Sequence, residues 1–243
     1  MLASFVKGSP ALAVRRWHLL VIGDMHIGKE FKLAKAGIHF PNASQRMAEQ
    51  LLALYRKSGA HEIIMLGDVK ESIGYPPREE LEAIAAFFHL LRGIKIMVVR
   101  GNHDAHLAEI LGRIGMNRPP VAELLLKRIA FIHGNAMPSD QAMGMDYIIS
   151  AHSHTAISVA GRIEKGWLVA GIGPQARRRY STCNKKIKLI VMPAFSPLIT
   201  GVSASSGTGS SLPLFRNGIF DEESARMYDL DGNEVALAAT RHE

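Results

Sequence analysis

Apolar segments that end in aspartate, asparagine or histidine constrain the fold of this chain more than any other feature. The stretch "LLVIGDMH" brings in Asp24 and His26, "IIMLGD" brings in Asp68, and "IMVVRGNHD" brings in Asn102. Each segment is as long and as continuously apolar as a strand that is buried on both faces. Ligands bind at the carboxyl ends of strands in open α/β sheets, so we expect these polar side chains to converge.

Two more apolar segments later in the chain end in histidine. "AFIHG" contains His133, and "IISAHSH" contains His152 and His154, two residues apart. Together with the four residues named above, these histidines form a mixed oxygen and nitrogen ligand set, which suits Mn, Fe or Zn better than Ca. Seven ligands are too many for one ion and natural for two. A single histidine after a strand is more often structural, so the prediction depends on the fivefold repetition.

The segments between these motifs alternate in character. Helices are predicted over 42–59, with Asn42 as the cap, over 77–93 from a proline to a glycine, and over 105–115. After about residue 120 the pattern predicts short strands with little helix. We therefore predict an α/β fold with two packed mixed sheets flanked by helices. The whole of 1–243 is predicted to be one domain, and the low-complexity stretch 203–211 a mobile loop.

Composition limits the class of protein. The chain has 243 residues, 47% of them apolar, and its single cysteine, Cys183, excludes an internal disulfide and predicts a cytoplasmic location. No apolar run approaches the roughly 18 residues of a membrane span, so no membrane association is expected. The formal charge of +7 suits a polyanionic substrate without proving one.

The stretch "QARRRYSTCNKKIK", residues 175–188, combines six basic residues with Tyr180 and has no acidic residue. One interpretation is a solvated hairpin whose charges keep a sheet edge soluble. The other is a track for a phosphate backbone at the rim of the site. On the second interpretation Arg177, Arg178 and Arg179 bind substrate. Lys70, two residues after Asp68, is a further candidate phosphate contact.

The order D-x-H, GD, GNHD, HG and H-x-H, over residues 24–154, resembles that of the calcineurin-like metallophosphoesterases. The stretches "DMHIGKE", "GIHFP", "LGDVK", "HGNAMPS" and "MPAF" are similar to the archaeal phosphoesterases related to the SbcD-type nuclease, and to the bacterial phosphoesterases found beside DNA ligases. The resemblance implies a four-layer α-β-β-α metallophosphoesterase sandwich. Glu71 is a departure, because near relatives often carry histidine there.

The resemblance also implies a role for each site residue. One metal ion would be held by Asp24, His26 and His154, and the other by Asn102, His133 and His152. Asp68 would bridge the two ions. His103 would stand beside the leaving group without binding metal, and Asp104 would orient it.

The implied function is that of a binuclear metal-dependent phosphodiesterase or nuclease acting on nucleic acid. A metal-bridging hydroxide would attack phosphorus, and His103 would protonate the leaving group. Manganese is the expected metal, with iron, zinc or nickel as alternatives. Nucleic acid is the expected substrate partner, and a homodimer and DNA-repair proteins are further candidate partners.

Two other functions stay open on the sequence. One is hydrolysis of a small phosphodiester, a cyclic nucleotide or a phosphomonoester. The other is a non-catalytic scaffold, as in the retromer sorting subunit of the same superfamily. Scaffolds of that kind tend to lose ligands or the leaving-group histidine, and this chain has every one, so catalysis is favoured.

Overall fold

The computed structural model describes residues 3–159, 161–203 and 212–236. One large sheet has five strands in the order β1-β2-β3-β4-β5. Its strands are β1 (Ser4–Phe5), β2 (Leu12–Val14), β3 (Leu19–Ile22), β4 (Glu62–Leu66) and β5 (Lys95–Val99). The last three are parallel to one another and contain the apolar segments that precede Asp24, Asp68 and Asn102. The first two extend the sheet in antiparallel register.

The remaining strands form a seven-stranded sheet and a small three-stranded one. The larger sheet contains β6 (Glu123–Leu126), β7 (Ile129–Ile132), β8 (Tyr147–Ser150), β11 (Trp167–Ile172), β12 (Lys188–Val191), β14 (Phe220–Tyr228) and β15 (Glu234–Val235). Its order is β15-β14-β11-β12-β8-β7-β6, with β7, β8 and β12 parallel. The small sheet contains β9 (Thr155–Val159), β10 (Arg162–Lys165) and β13 (Val202–Ser203).

Most helical residues lie in the first half of the described chain. The helices are α1 (Lys29–Lys35), α2 (Ala43–Ser58), α3 (Arg78–Leu90), α4 (Leu107–Arg113), α5 (Asp140–Met143), α6 (Ala176–Arg179) and α7 (Pro213–Arg216), with a 3-10 turn at Arg15–Trp17. The helices predicted over 42–59, 77–93 and 105–115 are confirmed. The predicted cap is wrong in detail, because Asn42 has φ 57° and its side chain makes no capping hydrogen bond.

Alternating side chains make each large sheet apolar on both faces. Along β3, Leu20 and Ile22 face a core shared with α2 and α3, whereas Leu19 and Val21 face the second sheet. The apolar spacing that predicted α2 has the same cause, because Met47, Ala48 and Leu51 are buried in the first of these cores.

The seven-stranded sheet repeats this arrangement. Ile129 and Phe131 of β7 face the first sheet, while Ala130 and Ile132 face a third core that includes residues of α5, α6 and α7. The result is helices, sheet, sheet and helices in four layers, so the predicted fold class is confirmed. The parallel strands of the two sheets supply the loops that carry the polar motifs.

Two further observations concern the loop predicted over 203–211 and the length of the helices. Residues 204–211 of the predicted mobile loop lie outside the described residues, and residue 203 belongs to β13. Among the described residues, no helix has the length and apolar character required to cross a membrane.

Candidate metal centre

Polar loops from both sheets meet at one end of the sandwich. Asp24 and His26 follow β3, Asp68 follows β4, and the "GNHD" loop follows β5. The loop after β8 reaches across to the first sheet, because the backbone N–H of His152 donates to both carboxylate oxygens of Asp24 at 3.2 and 3.0 Å. The predicted convergence of strand ends is therefore observed.

The candidate ligands form two clusters that share one residue. Ligand atoms of Asp24, His26, Asp68 and His154 lie within 4.8 Å of one another, and those of Asp68, His133 and His152 do the same. Asp68 lies between the clusters, with Oδ2 3.6 Å from His26 Nε2 and Oδ1 3.4 Å from His133 Nε2. Its position suits a bridging carboxylate.

Asn102 completes the second cluster. Its Oδ1 lies 3.1 Å from Nε2 of His133, and Nδ1 of His152 lies 3.1 Å from the same nitrogen. The structure thus brings together all seven residues that the sequence selected as metal ligands.

The contacts of the ring nitrogens indicate that this site fits cations. Nδ1 of His133 faces the carbonyl oxygen of Leu66 at 2.8 Å, and Nδ1 of His26 faces the carboxylate of Glu71 at 3.0 Å. A ring that donates from Nδ1 presents a lone pair at Nε2. Nε2 of His26 then faces Nε2 of His154 at 3.3 Å, next to a carboxylate. Converging lone pairs of this kind repel one another unless a proton or a metal ion lies between them.

In the metal-free protein these electrostatics draw protons into the site. Burial alone would lower the pKa of His133, but the hydrogen bond and charge of Asp68, with the charge of Asp24, raise it to about 9. Burial would likewise raise the pKa of Asp68, yet His133 and His26 hold it well below its ordinary value. A divalent cation supplies the same positive charge, so metal binding and proton release are expected to be linked.

Strained backbone marks the same residues. Asp24, His26, Asp68, His152 and His154 all have φ between 46° and 70°, in the left-handed region that non-glycine residues rarely occupy. Such conformations cost about 1–3 kcal/mol each and persist at functional sites, where the surroundings fix them. These conformations are found in five of the seven candidate ligands.

Glycines allow the two central loops to approach closely. A Cβ atom on Gly67, which has φ 74°, would lie 2.6 Å from both the backbone nitrogen of Gly101 and Nδ1 of His133. The "GD" and "GNHD" loops therefore pack backbone to backbone, and this contact sets the separation of Asp68 and Asn102.

His103 lies beside the first cluster. A ring nitrogen of His103 is within 4.8 Å of ligand atoms of His26 and Glu71, and the His103 and His26 rings meet edge to face at 4.8 Å. Its backbone N–H donates to Oδ1 of Asp68 at 2.9 Å, and its Nδ1 contacts the carbonyl oxygen of Glu71 at 2.5 Å. The ring is therefore held at the edge of the site, and its Nε2 makes no hydrogen bond to the described part of the chain.

The prediction that Asp104 orients the His103 ring is wrong, because its carboxylate has other partners. Its carboxylate accepts hydrogen bonds from the backbone N–H groups of Val69, at 2.9 Å, and Gly101, at 2.7 Å. Burial raises the pKa of this carboxyl group. Asp104 ties the two central loops together, and the carbonyl group of Glu71 orients the His103 ring instead.

Glu71 is the residue that sequence reasoning noticed only as a departure. It is buried, and its carboxylate accepts from Nδ1 of His26 and from the ammonium groups of Lys29, at 3.0 Å, and Lys32, at 3.1 Å. Although burial raises its pKa, these partners lower it to about 2. The sequence signal that could have identified Glu71 was an acidic residue three positions after Asp68.

The prediction that Lys70 contacts a substrate phosphate is wrong, because the side chain does not reach the surface of the site. The side chain is fully buried, and its ammonium group donates to the carbonyl oxygens of Ser72, Ile73 and Gly74, the last at 2.8 Å. Burial lowers the pKa of Lys70, while the charge of Glu80 opposes that shift. Lys70 braces the loop that follows it.

The basic run over 175–188 lies away from the metal ligands, so the predicted position at the rim is wrong. The segment joins β11 to β12, which are antiparallel, and it meets the sheet where β8 begins. Asn184, for example, donates to the carbonyl oxygen of Met145 at 2.9 Å. His152 and His154 follow the other end of β8, about 13 Å away at 3.3 Å per residue. The hairpin interpretation is correct in part, because the run joins two antiparallel strands and its six basic residues are exposed. It is wrong about the sheet edge, because both strands lie inside the sheet, and Arg177, Arg178 and Arg179 belong to α6.

Fold and site together define a protein of the metallophosphoesterase class. The family model for calcineurin-like phosphoesterases matches residues 18–156, more than half of the chain, and the chain belongs to that family. The predicted superfamily and its class of metal-dependent phosphoesterases are therefore confirmed, and the narrower branch stays a prediction.

Comparisons with individual proteins agree with this assignment. The chain is 26% identical over 121 residues to phosphodiesterase YfcE of Escherichia coli K12, a match that covers 45% of this chain and 63% of the relative. The chain thus spans less than two thirds of that relative's length. In fold it is similar to the crystal structure of Pseudomonas putida nuclease MPE, with a TM-score of 0.62 at 17% identity, over 93% of this chain and 92% of the other.

Proposed function

We propose that this chain is a binuclear metal-dependent phosphodiesterase that cleaves nucleic acid. The observation that carries the proposal is the pair of ligand clusters joined by Asp68, with His103 at their edge. One ion would be held by Asp24, His26 and His154, the other by Asn102, His133 and His152. Manganese is the proposed metal, with iron, zinc or nickel as alternatives, because the ligand set mixes carboxylate, amide and imidazole groups.

Bound metal ions in such a pair acidify water and neutralise phosphate oxygens during in-line displacement. The chain's own residues set the geometry of that pair. The two carboxylate oxygens of Asp68 point to different clusters, so this side chain fixes their separation. Asn102 adds an oxygen ligand without charge, which leaves net positive charge for a phosphodiester.

His103 is the proposed acid for the leaving group. Its Nδ1 is engaged by the carbonyl oxygen of Glu71, so the imidazolium form donates from Nε2 to the departing alkoxide oxygen. A carbonyl partner orients the ring without adding negative charge to it. Lys29 and Lys32, bound to the Glu71 carboxylate, place positive charge beside the same edge.

A second candidate is hydrolysis of a small phosphodiester. The position of the basic run favours it, because Arg177, Arg178 and Arg179 lie at the far end of the seven-stranded sheet and provide no track into the site. The similarity to a protein named as a phosphodiesterase fits either candidate. A single domain over 1–243, a cytoplasmic location, a homodimer and DNA-repair partners stay predictions.

The deciding experiment assays the manganese-loaded protein in parallel on four substrates. These are bis-p-nitrophenyl phosphate, p-nitrophenyl phosphate, single-stranded DNA and single-stranded RNA. We expect a higher kcat/KM for the diester than for the monoester, and cleavage of at least one polymer. A preference for the monoester would overturn the diesterase proposal, and cleavage of the small diester alone would select the second candidate.

A further inference from the structure

The short segment Glu71–Tyr75 exposes two large apolar side chains beside the site. The side chain of Ile73 is 63% exposed and that of Tyr75 is 45% exposed. Single exposed apolar residues are ordinary on protein surfaces. Two within three positions, on a loop that begins at a residue in contact with His103, call for an explanation.

The exposure does not come from a loose backbone. The ammonium group of the buried Lys70 donates to three successive carbonyl oxygens of this loop, those of residues 72, 73 and 74. On the other side, Glu80 accepts from the backbone N–H and the hydroxyl group of Ser72 at 2.9 and 2.5 Å. The loop is thus fixed from beneath, while its apolar side chains are left in solvent.

The ring of Tyr75 is also held in place. Arg113 donates to the Tyr75 hydroxyl at 2.8 Å, with its guanidinium group 6.0 Å from the ring centre. The ring of His106 meets that of Tyr75 edge to face at 5.6 Å. A large flat surface held in one orientation loses little entropy when another ring stacks on it.

The loop runs outward from the reacting groups alongside the segment His103–His106. Glu71 contacts His103 at one end, and Tyr75 contacts His106 at the other. Four extended residues span at most about 14 Å. The backbone of Tyr75 therefore lies no further than this from that of Glu71, on the side of the site where His103 would protonate a leaving group.

We propose that Tyr75 stacks on the nucleobase carried by the leaving group of the scissile phosphodiester. The inference rests on the proposed function, and it names the feature of the substrate that this edge of the site recognises. An aromatic ring beside an arginine is the arrangement on which single-stranded bases stack, with little preference among sequences. A dinucleotide and a single-stranded polymer both present such a base.

The test uses the metal-loaded protein and three variants. Tyr75→Ala removes the ring, Tyr75→Phe keeps it without the hydroxyl group, and Phe40→Ala removes another aromatic side chain, which is 41% exposed. Binding is measured by fluorescence anisotropy with a phosphorothioate oligonucleotide, which resists hydrolysis. The same oligonucleotide with abasic sites and a phosphorothioate dinucleotide serve as the other ligands.

We expect Tyr75→Ala to raise the Kd for the base-bearing oligonucleotide by about 5- to 100-fold, the usual range for loss of one stacked base. Tyr75→Phe should lose less affinity than Tyr75→Ala, because it keeps the ring and lacks only the hydrogen bond from Arg113. Phe40→Ala should bind as the wild type does, and all four proteins should bind the abasic oligonucleotide equally. If Tyr75→Ala also raises the Kd for the dinucleotide, one base is enough for stacking. If it raises the Kd for the oligonucleotide alone, the polymer is the ligand.

An unchanged Kd in Tyr75→Ala, or an equal loss on the abasic oligonucleotide, would overturn the inference. Failure of the proposed function is seen separately, in the wild-type protein. Suppose that the wild type hydrolyses bis-p-nitrophenyl phosphate but cleaves no unmodified oligonucleotide or dinucleotide. That result would exclude nucleic acid as the substrate, whatever the binding data for Tyr75 show.

Discussion

Nδ1 of His26 donates a hydrogen bond to the Glu71 carboxylate at 3.0 Å, and both groups are buried. A carboxylate on the far nitrogen of a ligand histidine fixes its tautomer and raises its basicity. The carbonyl oxygen of Glu71 also contacts Nδ1 of His103. One residue thus orients a candidate metal ligand through its side chain and the candidate acid through its backbone.

Glu71→Gln should weaken the metal site that contains His26. The amide can still accept from Nδ1 but lacks the charge that strengthens the ligand, so we expect a loss of about 10- to 100-fold in that site's affinity. Manganese titration followed by calorimetry resolves the two sites. Glu79→Gln, at an exposed glutamate, is the matched control. Equal weakening of both sites would contradict a role through His26 alone.

Asp68→Asn should weaken both metal sites, because the shared carboxylate loses its charge. The wild type should hold two metal ions per chain after reconstitution with manganese, and the chelated protein should be inactive. Elemental analysis of both proteins measures the stoichiometry, with Asp231→Asn as a control at an exposed position. One ion or fewer in the reconstituted wild type would refute the binuclear centre.

His103→Ala should keep both metal ions while kcat falls by about 10²- to 10⁴-fold, the range for loss of a general acid. The loss should be smaller for a p-nitrophenol leaving group, which departs readily without a proton. Comparison of kcat on an oligonucleotide and on bis-p-nitrophenyl phosphate tests this difference. Stoichiometric loss of metal from the variant would show that His103 is a ligand.

Lys165 should make the free energy of unfolding depend on pH in the alkaline range. Its ammonium group donates to the carbonyl oxygens of Ala194, at 2.6 Å, and Ser196, at 2.5 Å. Burial lowers its pKa from 10.5 to about 8, against the opposing charge of Asp24. Between these two values the unfolded chain binds more protons than the folded protein does. The free energy of unfolding therefore gains a contribution that rises with pH across this window.

Lys165→Met should remove that contribution. We expect the free energy of unfolding of the wild type, measured in urea, to rise relative to that of the variant as the pH goes from 8 to 10.5. Lys185→Met, at an exposed lysine, should follow the wild type. A constant difference between wild type and Lys165→Met would show that the lysine stays charged throughout.

Changing Arg177, Arg178 and Arg179 together to alanine should leave the KM for an oligonucleotide within about twofold of the wild type. These residues lie at the opposite end of the sheet from the metal ligands, so a short substrate does not reach them. Each phosphate contact that did exist would contribute about one to the slope of log K against log salt. A lower slope in the variant would show that nucleic acid extends across this face.

The sequence identified the candidate ligands because each one lies within four residues of the end of a strand. Parallel strands within a sheet bring their ends to one edge, so the order of residues along the chain was enough to place Asp24, Asp68 and Asn102 together. His133 and His152 required one more step, the packing of the second sheet against the first. The same local logic predicted α2, whose buried face has helical spacing.

Roles that depend on neighbours remote in the chain were assigned incorrectly or overlooked. Lys70 and Glu71 are adjacent in the sequence, yet one braces a loop and the other orients His26 and His103. Nothing in the local sequence distinguishes a lysine that reaches a phosphate from one that reaches backbone carbonyl groups. The carboxylate of Asp104 likewise bonds to backbone amides, because the "GD" and "GNHD" loops touch.

The sequence by itself determined which strand ends carry the candidate metal ligands, since the order of strand and polar residue is a local property of the chain. Only the tertiary structure decided which polar residues face the site. The path of β11 carries the basic run to the far end of the sheet, while the contacts of Glu71 with His103 and of Tyr75 with His106 bring an aromatic ring near it. The reason is geometric, because strand direction and loop packing determine which end of a sheet a residue reaches.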